Sequence, residues 1–130
     1  MHRNRVISIL IIDDEQSVRI SLSEYLKDLG YDVTSLVTAE DAIAHLRTQK
    51  PDLMIVDIRL PGIDGIKLII KAHEIYSDIK YLIHTGSVAF RLPDALIKLG
   101  LTSESVVKKP VNDLNIFNHK IQELLKIQNG

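Results

Sequence analysis

The feature that most constrains this chain is an alternation. Five apolar runs of strand length recur along its 130 residues, separated by segments whose apolar residues return at helical spacing. The first run, Arg5 to Ile12, is almost entirely branched aliphatic, as a strand buried on both faces requires. A helix is expected from about Gln16, with Val18, Leu22, Leu26 and Leu29 on one stripe and Gly30 as its stop. A second strand follows over about Asp32 to Val37. Thr38 is placed as the N-cap of a short helix that turns Ala39, Ala42, Ile43 and Leu46 inward. Pro51 releases the chain into LMIVD, a third strand ending on Asp57.

The turn residues Pro61, Gly62 and Gly65 then precede a third helix that carries Ile66, Ile69 and Ile70 toward the core. KYLIHT forms a fourth strand ending near Thr85, and the fourth helix occupies the few residues between Pro93 and Gly100. SVVKKPV, residues 105 to 111, supplies the fifth strand. A last helix starts near Asn112 and buries Leu114, Phe117, Ile121 and Leu124. Strand-helix alternation of this kind implies a parallel sheet covered on both faces, and right-handed crossovers make it an open, doubly wound α/β sheet of five strands and five helices. Eight units would be needed for a barrel.

The length suits one domain, so residues 1–130 are read as a single unit. Sixteen Lys plus Arg against seventeen Asp plus Glu leave a formal charge of -1, which advertises neither nucleic acid nor a basic partner. There is no cysteine, so disulfide scaffolds, thiolate metal sites and cysteine nucleophiles are excluded. Asp13, Asp14 and Glu15 interrupt the first apolar run too early for a signal peptide or a membrane span, and a cytoplasmic location is expected. The five histidines (His2, His45, His73, His84, His119) show no metal-ligand spacing.

In an open α/β sheet, ligands bind outside the carboxyl ends of the strands. The first strand ends on Asp13 and Asp14, the third on Asp57, the fourth on Thr85 and the fifth on Lys108 and Lys109. Three carboxylates, a hydroxyl and a lysine thus meet on one rim. Carboxylates held together repel unless a cation sits among them, and an all-oxygen donor set suits Mg²⁺ or Mn²⁺. A phosphate is the natural guest of such a site. Asp57, standing alone at the end of the third strand, is the candidate nucleophile for a phosphoryl group, with Thr85 and Lys109 as partners of its oxygens.

The segments IIDDE (11–15), IVDIRLPGIDG (55–65), HTGS (84–87) and KKP (108–110) resemble those of the response regulator receiver domains, over essentially the whole chain. The resemblance implies a CheY-like, flavodoxin-like sheet in the order 2-1-3-4-5 and phosphorylation of Asp57 by a sensor histidine kinase or histidine phosphotransfer protein. It implies Mg²⁺ held by Asp14, Asp57 and the backbone carbonyl of Arg59, with Asp13 assisting mainly through water. Thr85 would swing toward the phosphoryl group and Lys109, before a cis proline, would pair with it. Strand alternation points Lys108 the opposite way, and it is expected to be solvated. Such a module is a two-component signalling switch rather than an enzyme acting on other substrates. Its downstream effector is open, no direct contact with nucleic acid or membrane is implied, and a phosphorylation-dependent homodimer is compatible with it. No DNA-binding unit is expected after the last helix, hence no output domain within 1–130.

Two departures stand out. Similar domains carry Tyr or Phe at the position of Val106, so the aromatic part of the usual switch is missing, and Phe90 is a substitute only if it does more than pack. The segment from Ser87 to Ser103 is expected to differ in conformation and to be relatively mobile. Arg59 and Ser87 stand where the family tunes dephosphorylation. Two other readings use similar parts. A haloacid dehalogenase phosphatase would put its nucleophile at the end of the first strand with a second aspartate two residues on, whereas Asp13 and Asp14 are adjacent; it also needs a cap insertion. A flavodoxin would need a Ser/Thr/Gly-rich phosphate loop after the first strand, which is absent, and three carboxylates would repel its phosphate.

Overall fold

The computed structural model describes residues 5–60 and 62–127, so the expected turn residue Pro61 and the histidine His2 lie outside the described residues. In chain order the elements are β1 (Ser8–Ile12), α1 (Gln16–Asp28), β2 (Asp32–Leu36), α2 (Ala39–Leu46), β3 (Leu53–Val56) and α3 (Gly65–Ile75). They continue with β4 (Lys80–Thr85), α4 (Asp94–Lys98), a 3-10 turn at Ser103–Ser105, β5 (Val106–Lys108) and α5 (Asn115–Leu125). The five strands are all parallel, in the order β2-β1-β3-β4-β5, as expected.

Strand alternation divides the interior in two. Leu10 and Ile12 of β1, Met54 and Val56 of β3 and Tyr81 and Ile83 of β4 point to one face, where α2 and α3 cover them with Ala42, Leu46, Leu68 and Ile69. Ile9, Ile11, Leu53, Ile55, Leu82 and Val107 point to the other, under Leu22 and Leu26 of α1 and Phe117 and Ile121 of α5. Burying each such aliphatic or aromatic side chain is worth about 1.5–3 kcal/mol, which is why the central strands are uninterrupted apolar runs rather than alternating ones.

Helix ends follow local chemistry. Thr38 caps α2, its side chain accepting a hydrogen bond from Asp41 N at 3.1 Å, and Asp64 caps α3 through Lys67 N at 2.9 Å. Some boundaries differ from those expected. Leu29 lies one residue past α1 as its C-cap and is 48% exposed, because Gly30 at φ +97° turns the chain away before Leu29 can face the core. On α3, Leu68 is fully buried while Ile66 and Ile70 are only partly so. The last helix begins at Asn115 rather than Asn112, since the Asp113 carboxylate accepts from Asn115 N at 2.9 Å and holds the preceding residues in a turn.

Between Thr85 and α4 the chain runs as a loop, and α4 itself has five residues. Phe90 and Val106 are both half-buried against the α2–α3 side of the core, so Phe90 packs here as an ordinary apolar side chain. The bond between Lys109 and Pro110 is cis. Among the described residues, no helix is long and apolar enough to cross a membrane.

Candidate functional site at the carboxyl rim of the sheet

Backbone register brings the strand ends level. Ile12 pairs with Val56, Val56 with Ile83 and Thr85 with Lys108, so the residues that follow each strand emerge along one edge. Hydrogen bonds carry the ladder one step further: Asp57 N donates to Ile12 O at 2.9 Å, Asp13 N to Leu36 O at 3.1 Å and Lys109 N to Thr85 O at 2.8 Å. The sheet itself therefore aligns Asp13, Asp57, Thr85 and Lys109.

Asp13, Asp14 and Asp57 each offer a carboxylate oxygen, and the three oxygens lie within 4.8 Å of one another. Asp13 and Asp57 are buried, at 2% and 6% exposure, whereas Asp14 is exposed. The Lys109 ammonium sits among the acids, 3.0 Å from Asp13 Oδ2, 3.4 Å from Asp57 Oδ2 and 2.5 Å from Glu15 Oε1. Asp13 Oδ1 accepts from Glu15 N at 2.9 Å, and Asp57 Oδ1 from Arg59 N at 3.1 Å. Thr85 is buried, and its hydroxyl oxygen accepts from Ser87 N at 3.1 Å. A cleft of about 330 Å³ opens over the group, bordered by Asp14, Glu15, Asp57, Arg59, Ser87 and Lys109.

The electrostatics follow from burial and from who faces whom. Burial pushes the Asp57 carboxyl above its ordinary range, and the neighbouring Asp13 charge adds to this, against the Arg59 N–H and the Lys109 ammonium. For Lys109, burial alone would lower the pKa, but hydrogen bonds to Glu15 and Asp13 outweigh it and hold the ammonium charged. The Lys109 hydrogen bond, followed by its charge, lowers the Glu15 carboxyl.

Every residue singled out from the sequence for this site reaches the rim, and one that was not singled out joins them. Glu15 pairs with Lys109 although its side chain is 55% exposed. An acid directly after Asp-Asp was the available signal, but its partner is fixed only once β1 and β5 are placed. Lys108 is exposed, as expected, and its ammonium in addition donates to the backbone carbonyls of Ser87 at 3.0 Å and Val88 at 3.5 Å.

The third helix is tied to the acceptor position by a contact that only glycine permits. A Cβ on Gly65 would stand 2.2 Å from the backbone oxygen of Asp57 and 2.9 Å from Ile58 Cα. Gly65→Ala must push α3 or the Asp57 backbone aside, so unfolding by urea should show a loss of about 2–3 kcal/mol. Unchanged stability would mean that the loop yields freely.

His84 points away from the rim, onto the α1–α5 side, where its ring meets Phe117 edge-on at 4.9 Å. It is 5% exposed and neither ring nitrogen has a partner. Burial, reinforced by the Lys109 charge, pushes its pKa down from 6.5 to about 4. The folded value lies below the unfolded one, so the stability tied to the neutral ring is whole above pH 6.5. It is lost as pH falls toward 4, by about 3 kcal/mol in all at about 1.4 kcal/mol per pKa unit. His84→Phe should flatten the fall in urea midpoint between pH 6.5 and 4.5; an unaltered fall would assign it to other groups.

Comparison with known proteins places this geometry. The family model for the response regulator receiver domain matches residues 9–120. Sporulation initiation phosphotransferase F of Bacillus subtilis is 32% identical over 78 residues, covering 60% of this chain and 63% of that protein. The alkaline phosphatase synthesis transcriptional regulatory protein PhoP, also of Bacillus subtilis, is 42% identical over 60 residues, covering 46% of this chain and 25% of that protein. The matches thus span less than two thirds of either relative's own length. Among solved structures, a CheY-like receiver domain protein from Methanospirillum hungatei JF-1 superposes with a TM-score of 0.82 at 29% identity, covering 94% of this chain and 95% of that one.

Proposed function

We propose, from the premise that this chain belongs to the response regulator receiver domain family, that it accepts a phosphoryl group on Asp57 and uses the resulting change in charge to alter its surface. The observation that carries the reading is the pairing of a buried carboxylate, Asp57, with the Lys109 ammonium at the mouth of an acidic cleft. The donor would be a phosphohistidine of a sensor kinase or phosphotransfer protein. In the transfer, an Asp57 carboxylate oxygen attacks phosphorus, the P–N bond to the donor imidazole breaks, and the imidazole leaves with its electron pair and takes up a proton. Hydrolysis by water later returns the carboxylate and inorganic phosphate.

The donor set fits a divalent cation. All three acids present oxygen, and a hard ion such as Mg²⁺ takes one or two carboxylates together with waters and a phosphate oxygen. Asp14, Asp57 and the Arg59 carbonyl would hold it, and Asp13, whose two oxygens already serve Glu15 N and Lys109, would act through water. When bound, the ion supplies positive charge to the phosphoryl oxygens. The chain's own groups do the rest: Arg59 N fixes one Asp57 oxygen, Lys109 offers its ammonium to the phosphoryl group, and the Thr85 hydroxyl donates to it after moving. Lys109 would also exchange a carboxylate partner for the phosphoryl group, which is how one local charge change can bias two arrangements of the surface.

On this reading residues 1–130 form one receiver domain, active only on its own aspartate, with a kinase or phosphotransfer partner upstream and an effector of unstated kind downstream. The test is incubation with acetyl phosphate and Mg²⁺, followed by intact-mass measurement and mapping of the adduct. A labile phosphoryl adduct on Asp57, absent when EDTA replaces Mg²⁺, is expected. An adduct elsewhere, or steady turnover of unrelated phosphomonoesters, would overturn the reading.

A further inference from the structure

We propose that Lys108 is a positioning residue that restrains Thr85 in the unphosphorylated protein, through the loop that follows β4; this rests on Thr85 being the hydroxyl that must reach the phosphoryl group. Lys108 lies directly across the sheet from Thr85. Its side chain leaves the edge strand on the exposed side and bends over the loop, where the ammonium donates to Ser87 O at 3.0 Å and to Val88 O at 3.5 Å. Among the described residues it forms no ion pair with a carboxylate, and residues 86–93, GSVAFRLP, contain no acid. The ammonium is therefore committed to backbone carbonyls, and charge-assisted bonds of this type are stronger than neutral ones.

The residue it holds is the one that contacts Thr85. Ser87 N donates to the Thr85 hydroxyl oxygen at 3.1 Å, and Ser87 O also accepts from Phe90 N at 3.3 Å. One residue thus links the Lys108 ammonium to the Thr85 hydroxyl, while Lys109 N ties Thr85 O to the same strand. For Thr85 to turn toward Asp57, its bond to Ser87 N must break or drag the loop, and the loop is pinned by Lys108. Half-buried Val106 has no polar side-chain group to offer this loop; Lys108, two residues along the strand, provides the hydrogen-bonding handle.

Lys108→Met keeps the aliphatic stem and removes the ammonium, and Lys108→Arg keeps a donor. Hydrogen exchange of the Ser87 and Phe90 amides, measured by NMR without phosphorylation, reads the latch itself. The rate of adduct formation with acetyl phosphate and Mg²⁺ reads its coupling to Thr85. Lys108→Met should exchange both amides several-fold faster and acquire the adduct about threefold faster or more, the scale of a hydrogen bond from an exposed ammonium. Lys108→Arg should stay near the wild type on both. Unaltered exchange in Lys108→Met would overturn the latch, and faster exchange with an equal or slower adduct rate would overturn its coupling to Thr85. A wild-type protein that takes up no phosphoryl group overturns the phosphoacceptor reading and this one together, whereas a normal wild-type adduct with unchanged Lys108→Met behaviour overturns this one alone.

Discussion

Asp57→Asn should acquire no phosphoryl adduct at all, and in EDTA it should unfold at a higher temperature than the wild type by a few degrees. Loss of the adduct follows because the amide has no anionic oxygen to attack phosphorus. The gain in stability follows from the cost of the charge. Asp57 is 6% exposed and its pKa is raised, by burial first and by Asp13 second, in spite of the Arg59 N–H and the Lys109 ammonium. A carboxyl whose folded pKa exceeds its unfolded value destabilises the fold once ionised, so the penalty is present at neutral pH and fades as pH falls through that raised value. Asparagine keeps the oxygen that accepts from Arg59 N and removes the charge. The gain should shrink on acidification, opposite in sign to the loss from His84, and should reverse when Mg²⁺ is supplied, because a carboxylate binds the ion more tightly than the neutral amide does. Thermal unfolding in EDTA and in Mg²⁺ checks both signs. A variant less stable than the wild type in EDTA would show that the Lys109 pairing outweighs burial.

The parts of this site that were legible in the sequence share a cause. Strands buried on both faces must be apolar throughout, so an abrupt Asp13 or Asp57 at the end of such a run is conspicuous, and parallel topology sends all those ends to one edge. Thr85 and Lys109 were legible for the same reason. What escaped depended on side-chain reach and loop path, neither of which has a period. Glu15 is placed in a loop, and only the approach of β5 supplies its cation. Lys108 points away from the acids as strand alternation requires, yet its four-carbon stem is long enough to return to the carbonyls of residues 87 and 88, whose position is set by the loop and not by the strand. Helix ends were legible where a cap was, as at Thr38, and misplaced where a side chain outside the periodic pattern decided the matter, as Asp113 does for α5.

Lys109→Met should separate what this lysine does for the fold from what it does for the phosphoryl group. Methionine retains an aliphatic chain of similar reach, so packing at the rim is kept and the ammonium alone is lost. Asp13 and Asp57, at 2% and 6% exposure, then face each other with no cation between them, and breaking a buried pair from one side typically costs about 3–5 kcal/mol. Glu15 adds little, since at 55% side-chain exposure water replaces its partner. Hydrogen bonds from Arg59 N to Asp57 and from Glu15 N to Asp13 persist and soften the loss. In EDTA at neutral pH the variant should be about 3 kcal/mol less stable by urea unfolding. The Lys109 pKa is raised above 10.5, so its contribution is whole at neutral pH and is lost in the wild type only as pH rises beyond that value. Mg²⁺ should restore most of the stability, because a divalent ion answers the same carboxylate repulsion. It should not restore phosphorylation: the phosphoryl oxygens still lack the ammonium, and adduct formation should remain slower by about a hundredfold, the usual scale for removing one such charge-stabilising donor. Recovery of both by Mg²⁺ would reduce Lys109 to a counter-ion of the empty site, and recovery of neither would place the damage in the fold.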